Sequence, residues 1–200
     1  MKNKVKVPLG MQLSYFGKIA SEAANSHPTY ETPLDMGHAV KGYLTVTTAT
    51  GDVYGDDVDQ LHFESFVSAL LESETTCSDL ELNAEVYGHT YANETETSNV
   101  EDQSPYGGYG YIEPILKGDK TLIYRGTFLY KVTAMASSEK SEADTRKNDF
   151  NPKYNAVSYF VTADETGDWR DRQEFTTAAA AEAWVLGKFG TAEADTESAG

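Results

Sequence analysis

The feature that most constrains this chain is the alternation between residues 61 and 74. Leu61, Phe63, Val67, Ala69 and Leu71 share one parity, and His62, Glu64, Ser68, Glu72 and Glu74 share the other. Strand side chains point alternately to two faces, so this period predicts a long strand with one acidic, water-facing surface. Phe66 and Leu70 stand as exceptions to it. Upstream, Val40, Gly42, Leu44 and Val46 repeat the period. Gly51-Asp52 and Gly55-Asp56-Asp57 read as turn signals, which predicts a hairpin with an acidic connection.

The remaining segments extend this pattern. Ser78 and Glu81 have capping-box spacing, and Leu80, Ala84 and Tyr87 follow at helical spacing with Gly88 as a stop, so a helix is expected over residues 79–87. Residues 92–104 are polar and read as an exposed loop, and residues 137–151 read as an exposed loop or a hairpin tip. Tyr106 to Ile112 and Thr121 to Thr133 predict two antiparallel strands around a turn at residues 117–120. Val157 to Thr162 and Trp169 to Phe175 are expected to form a last hairpin. Thr177 is placed to cap an alanine-rich helix that runs through Trp184. The organisation expected is a basic arm (1–12), one domain (13–190) and an acidic flexible tail (191–200). Thirteen Tyr and eight Phe against two Trp tilt the composition towards strands.

Charge narrows the function. Thirty-two acidic and 16 basic residues leave −16, which repels phosphate backbones and argues against a conventional nucleic-acid binder. No Lys or Arg occurs between Lys41 and Lys117, where the acids include Asp52, Asp56, Asp57 and Asp59, whereas the first twenty residues hold Lys2, Lys4, Lys6 and Lys18 and no acid. Cys77 has no partner in the chain, which excludes an intrachain disulfide framework. No apolar run approaches the roughly 20 residues of a membrane-spanning helix.

Catalytic signatures are missing from the sequence. His27, His38, His62 and His89 show no metal-ligand spacing, so a transition-metal site would depend on folding to assemble it. The acids at 52–59 lack the order of a calcium loop, and the glycines at 107–110 match no phosphate-binding motif. No GxSxG elbow is present. A pair of carboxylates has no specificity among 32 acids. Cys77 precedes a helix start, where a thiolate is favoured, and is read as a structural residue.

Taken in order, several segments resemble the major tail proteins of siphophages over residues 13–185. They are Tyr15-Phe16, Thr29-Tyr30-Glu31-Thr32-Pro33, Val53-Tyr54-Gly55-Asp56-Asp57, and Asp79-Leu80 leading to Tyr87-Gly88-His89. Pro105-Tyr106-Gly107-Gly108-Tyr109-Gly110, Tyr124-Arg125-Gly126-Thr127-Phe128 and Gly167-Asp168-Trp169-Arg170 complete the set. The alanine-rich helix and the acidic tail depart from the family pattern.

The resemblance implies a mainly β fold of two packed antiparallel sheets, a sandwich or barrel with one flanking helix, to which the residues after Thr177 add a short C-terminal helix. It further implies hexameric rings that stack into a tail tube conducting DNA, with no catalysis and no cofactor. About 24 strands at ~4.8 Å spacing, tilted about 40°, give a backbone diameter of roughly 48 Å, wide enough for a duplex of about 20 Å. The partners implied are other copies of the chain, a tape measure protein in the lumen, and tail terminator or distal tail proteins at the ends. The location implied is the virion, after synthesis in the host cytoplasm. In that setting His62, Glu64, Ser68, Glu72 and Glu74 are the candidates for the lumen lining. Lys2, Lys4 and Lys6, with Asp52, Asp56, Asp57 and Asp59, are the candidates for ring contacts. The competing readings are another β-rich virion shell or decoration protein, a monomeric binding module and an acidic hydrolase.

Overall fold

The computed structural model describes residues 5–55, 58–139 and 154–190, with side chains 52–61 excepted. Among the described residues twelve strands run in chain order: β1 (Lys6–Pro8), β2 (Gln12–Ser21), β3 (Thr29–Tyr30), β4 (Leu34–Asp35), β5 (Ala39–Gly55), β6 (Val58–Thr75), β7 (Thr90–Ala92), β8 (Thr95–Thr97), β9 (Tyr106–Lys117), β10 (Leu122–Ala134), β11 (Asn155–Thr162) and β12 (Arg170–Phe175). Helix α1 (Leu80–Tyr87) precedes β7, and α2 (Ala178–Lys188) follows β12. The protein is mainly β, with a large antiparallel sheet ordered β3-β2-β9-β10-β11-β6-β5 and a small β7-β8 ribbon.

The long β9–β10 hairpin organises the molecule. Its N-terminal β9 half pairs with β2 and its C-terminal half with β1. On the far side, β10 pairs first with β12 and then with β11. The expected last hairpin is therefore corrected: β11 and β12 lie end to end along β10 instead of pairing with each other. The turn at residues 163–169 lets the chain pass from one half of β10 to the other. Asp164 organises it by accepting hydrogen bonds from Thr166 N at 2.9 Å and Asp168 N at 3.2 Å.

Each face of β9–β10 buries a different layer. On one face Phe16, Tyr109, Leu129, Tyr159 and Leu71 pack with Val86 and Tyr87 of α1. On the other, Tyr15, Ile112, Phe128 and Tyr130 meet Ala181, Val185 and Phe189. The last three residues recur at i, i+4 and i+8, so they form one stripe along α2. Glycine makes that contact close: a Cβ on Gly110 would lie 2.3 Å from Val185 Cγ1, and one on Gly126 2.7 Å from the Trp184 ring. Fully burying each large apolar side chain contributes about 1.5–3 kcal/mol before conformational entropy is subtracted.

Both helices form where expected, with one change in chemistry. Asp79, not Ser78, caps α1, accepting from Glu81 N at 2.8 Å and Leu82 N at 3.4 Å. Its carboxylate is the stronger acceptor and also favours the positive end of the helix dipole. Gly88 closes α1 at φ 79°, where a side chain would be strained. Thr177 Oγ1 caps α2 by accepting from Ala180 N at 3.3 Å. Residues 90–97, expected within or next to an exposed loop, instead form the β7–β8 ribbon, paired from Thr90–Thr97 to Ala92–Thr95.

Candidate functional site

The most prominent surface is built by β5 and β6, which pair over their whole length. β11 covers β6 only from Ala69 to Thr75. Beyond Ala69 the two strands leave the sheet as a two-stranded ribbon, about 30 Å long for the ten residues of β5 from Val46 to Gly55 at ~3.3 Å each. Gly51, read as a turn signal, lies within the strand, where it pairs with Phe63 and its missing Cβ leaves room for the Phe63 ring. Asp56 and Asp57, which link the two strands in sequence, lie outside the described residues.

A register shift decides which way the ribbon points its side chains. Thr47 pairs with Ser68 but Thr48 pairs with Phe66, so Val67 is an extra residue on β6. A bulge of this kind inverts the parity beyond it. Phe66 therefore shares the core face with Ala69 and Leu71, and its ring stacks on Trp169 at 4.5 Å and 7°. The apparent exception in the sequence is the side chain that the bulge brings inward.

The same inversion divides the expected acidic face. Glu72, Glu74 and Ser68 lie on the open face with Tyr43, while His62 and Glu64 lie on the opposite one. His62 Nε2 is 3.5 Å from Glu64 Oε1. Glu72 is exposed, Glu74 Oε1 lies 3.6 Å from Lys41 Nζ, and Ser68 is only 9% exposed. The five candidates thus occupy two surfaces instead of one. The ribbon also exposes apolar groups, with Phe63 at 54% and Val67 at 53%.

The basic arm is partly built into the fold. Lys6 lies in β1, opposite Lys117, and its Nζ is 2.5 Å from Glu174 Oε2. Lys2 and Lys4 lie outside the described residues, as do residues 191–200. Asp52 and Asp59 sit within β5 and β6, opposite His62 and Tyr54.

A second surface was not singled out in the sequence. Three of the chain's four arginines, Arg125, Arg170 and Arg172, line a cleft of about 430 Å³ together with Glu113 and Tyr111. Strand register puts them there: Arg170 pairs with Leu129, Arg172 with Thr127, and Arg125 with both Glu113 and Glu174. Arg125 is held by Glu174 at 3.2 Å and Glu113 at 3.8 Å, whereas Arg170 stacks on Trp169 at 4.2 Å. Among the described residues no carboxylate lies within ion-pair distance of Arg170 or Arg172. Burial and the neighbouring Arg172 charge push the Arg170 guanidinium below its usual range, and burial lifts the Glu113 carboxyl against the pull of Arg125. Such a cleft favours an incoming carboxylate, which would relieve the repulsion between the arginines. The legible signal was Arg170-Asp171-Arg172, whose i, i+2 spacing on a strand points both cations to one face.

No family model matches the chain, and no curated protein matches it in sequence. None of the helices described is long and apolar enough to cross a membrane.

Proposed function

We propose that this protein is a structural subunit of a siphophage tail tube, assembling as hexameric rings that stack around a channel for DNA. The observation that carries this reading is the β5–β6 ribbon. A two-stranded hairpin is marginal by itself in water, and this one presents exposed Phe63 and Val67 beyond the sheet. Strand β5 also ends the sheet, a 17-residue edge with no strand on its outer side among the described residues. Long unprotected edges promote aggregation unless a partner covers them. Assembly into a ring supplies that partner.

In this reading Glu72 and Glu74 on the open sheet face supply the lining, where negative charge keeps phosphate from binding. On the length of ribbon that projects beyond the sheet, His62 and Glu64 on one side, Phe63 on the other and Val67 at the bulge belong to subunit contacts. The arginine cleft receives acidic groups from a neighbour, which offsets part of the charge carried by six strongly acidic copies.

The test is negative-stain electron microscopy of purified protein over a concentration series. Rings or tubes with a central channel are the expected result. A compact monomer at every concentration, including after addition of tail-tip extract to nucleate assembly, would overturn the proposal in favour of a monomeric binding module.

A further inference from the structure

Folding assembles a cluster that the spacing of the histidines does not announce. His89 follows the Gly88 cap of α1, Glu96 stands on β8, and Glu139 ends the short 3-10 turn Ala136–Ser138. One donor atom from each of the three lies within 4.8 Å of the others. His89 Nδ1 is 2.7 Å from Glu96 Oε1, and Nε2 is 4.0 Å from Glu139 Oε2. The His89 and Glu96 side chains are only 9% and 12% exposed, while that of Glu139 is 42% exposed.

We propose that His89, Glu96 and Glu139 form a binding site for a divalent transition-metal ion of the zinc type. One imidazole and two carboxylates are a donor set that suits such an ion, with solvent completing the coordination on the Glu139 side. The surroundings are those of a site already arranged. Asn83 Nδ2 donates to Glu96 Oε1 at 3.0 Å and to Glu139 Oε1 at 3.4 Å, so one amide orients both acids. The Tyr87 ring lies beside the imidazole, with centroids 5.9 Å apart and planes 23° from parallel. Outer-sphere contacts of this sort hold metal ligands in place.

Charge favours the ion as well. Two carboxylates against one imidazole, with His89 and Glu96 mostly shielded and Glu139 open to solvent, make a place that a divalent cation suits. Binding displaces any proton on the coordinating ring nitrogen, and a modest movement of Glu139 brings its oxygen into range. The ion would then tie α1, the β7–β8 ribbon and the segment ending at Glu139 together. This inference is independent of the tail-tube reading, since it concerns a site within one subunit.

The experiment is zinc titration of tag-free, metal-stripped protein by calorimetry, with elemental analysis after dialysis and cobalt substitution followed by visible absorption. One zinc per chain is expected, with a cobalt spectrum of low coordination number and a raised Tm that magnesium does not reproduce. E139Q alters a partly exposed ligand and is expected to fold normally while weakening zinc at least about tenfold. H89A is expected to abolish the cobalt band. Absence of stoichiometric zinc in the wild-type protein would overturn the site, as would zinc binding unchanged in folded E139Q and H89A, which would place the ion elsewhere in the chain.

Discussion

At the scale of single residues, small groups set how closely the layers approach. Gly110 sits beneath α2 at 2.3 Å from Val185 once a Cβ is added. Gly110→Ala is therefore expected to push the helix off the sheet and lower stability by about 1–3 kcal/mol, read as a reduced urea midpoint. Asp164 presents a different case. Its side chain is fully shielded, and burial alone would raise its carboxyl, but hydrogen bonds from His27 and Thr166 outweigh this and hold it below the ordinary range. A carboxylate depressed in the fold stabilises it above the unfolded value of about 4 and ceases to do so as pH falls through the lower native value. Asp164→Ala is expected to cost about 1–3 kcal/mol at neutral pH. The gap from wild type should narrow as pH falls through the lowered native value, and a gap that stays constant in urea titrations from neutral to acid pH would count against the hydrogen-bonded carboxylate.

At the scale of elements, the β5–β6 ribbon and its bulge carry the functional argument. Phe63 and Val67 are exposed in the subunit, so replacing both with Glu should change monomer stability by no more than about 0.5 kcal/mol. Tube formation should nevertheless fail, which sedimentation and microscopy would reveal together. Deleting Val67 makes a sharper test. Pairing on either side of it is already regular, so the deletion should leave a folded subunit whose ribbon has lost the local twist of the bulge. Fewer or misshapen tubes are expected, and normal tubes would mean the bulge has no part in aiming the ribbon.

At the scale of the whole molecule, the proposed tube assigns one of the two acidic surfaces to the channel. Screening shortens electrostatic reach to about 8 Å at physiological salt, so only groups near the wall of a channel act on a passing duplex. Reversing Glu72 and Glu74 to Lys is expected to leave tubes intact and slow DNA ejection. Reversing Glu64, on the opposite face, should impair assembly instead. If both sets altered ejection equally with normal tubes, the division of faces would not correspond to lumen and interface.

Much of the element pattern was legible before any tertiary contact. The two-residue period predicted β5 and β6, the caps located α1 and α2, and the Tyr-Gly-rich segment and its partner predicted β9 and β10, because these signals depend on neighbours only a few residues away. The sequence by itself also determined the charge imbalance and the concentration of acids between Lys41 and Lys117. Which face those acids occupy was decided elsewhere. One extra residue at Val67 inverts the parity of a strand, and its position is visible only through pairing with Thr47 and Thr48. The arginine cleft depends on β12 pairing with β10 instead of β11, and the His89, Glu96 and Glu139 cluster on three separate segments meeting. Those outcomes rest on long-range packing and hydrogen-bond register, which local periodicity does not encode.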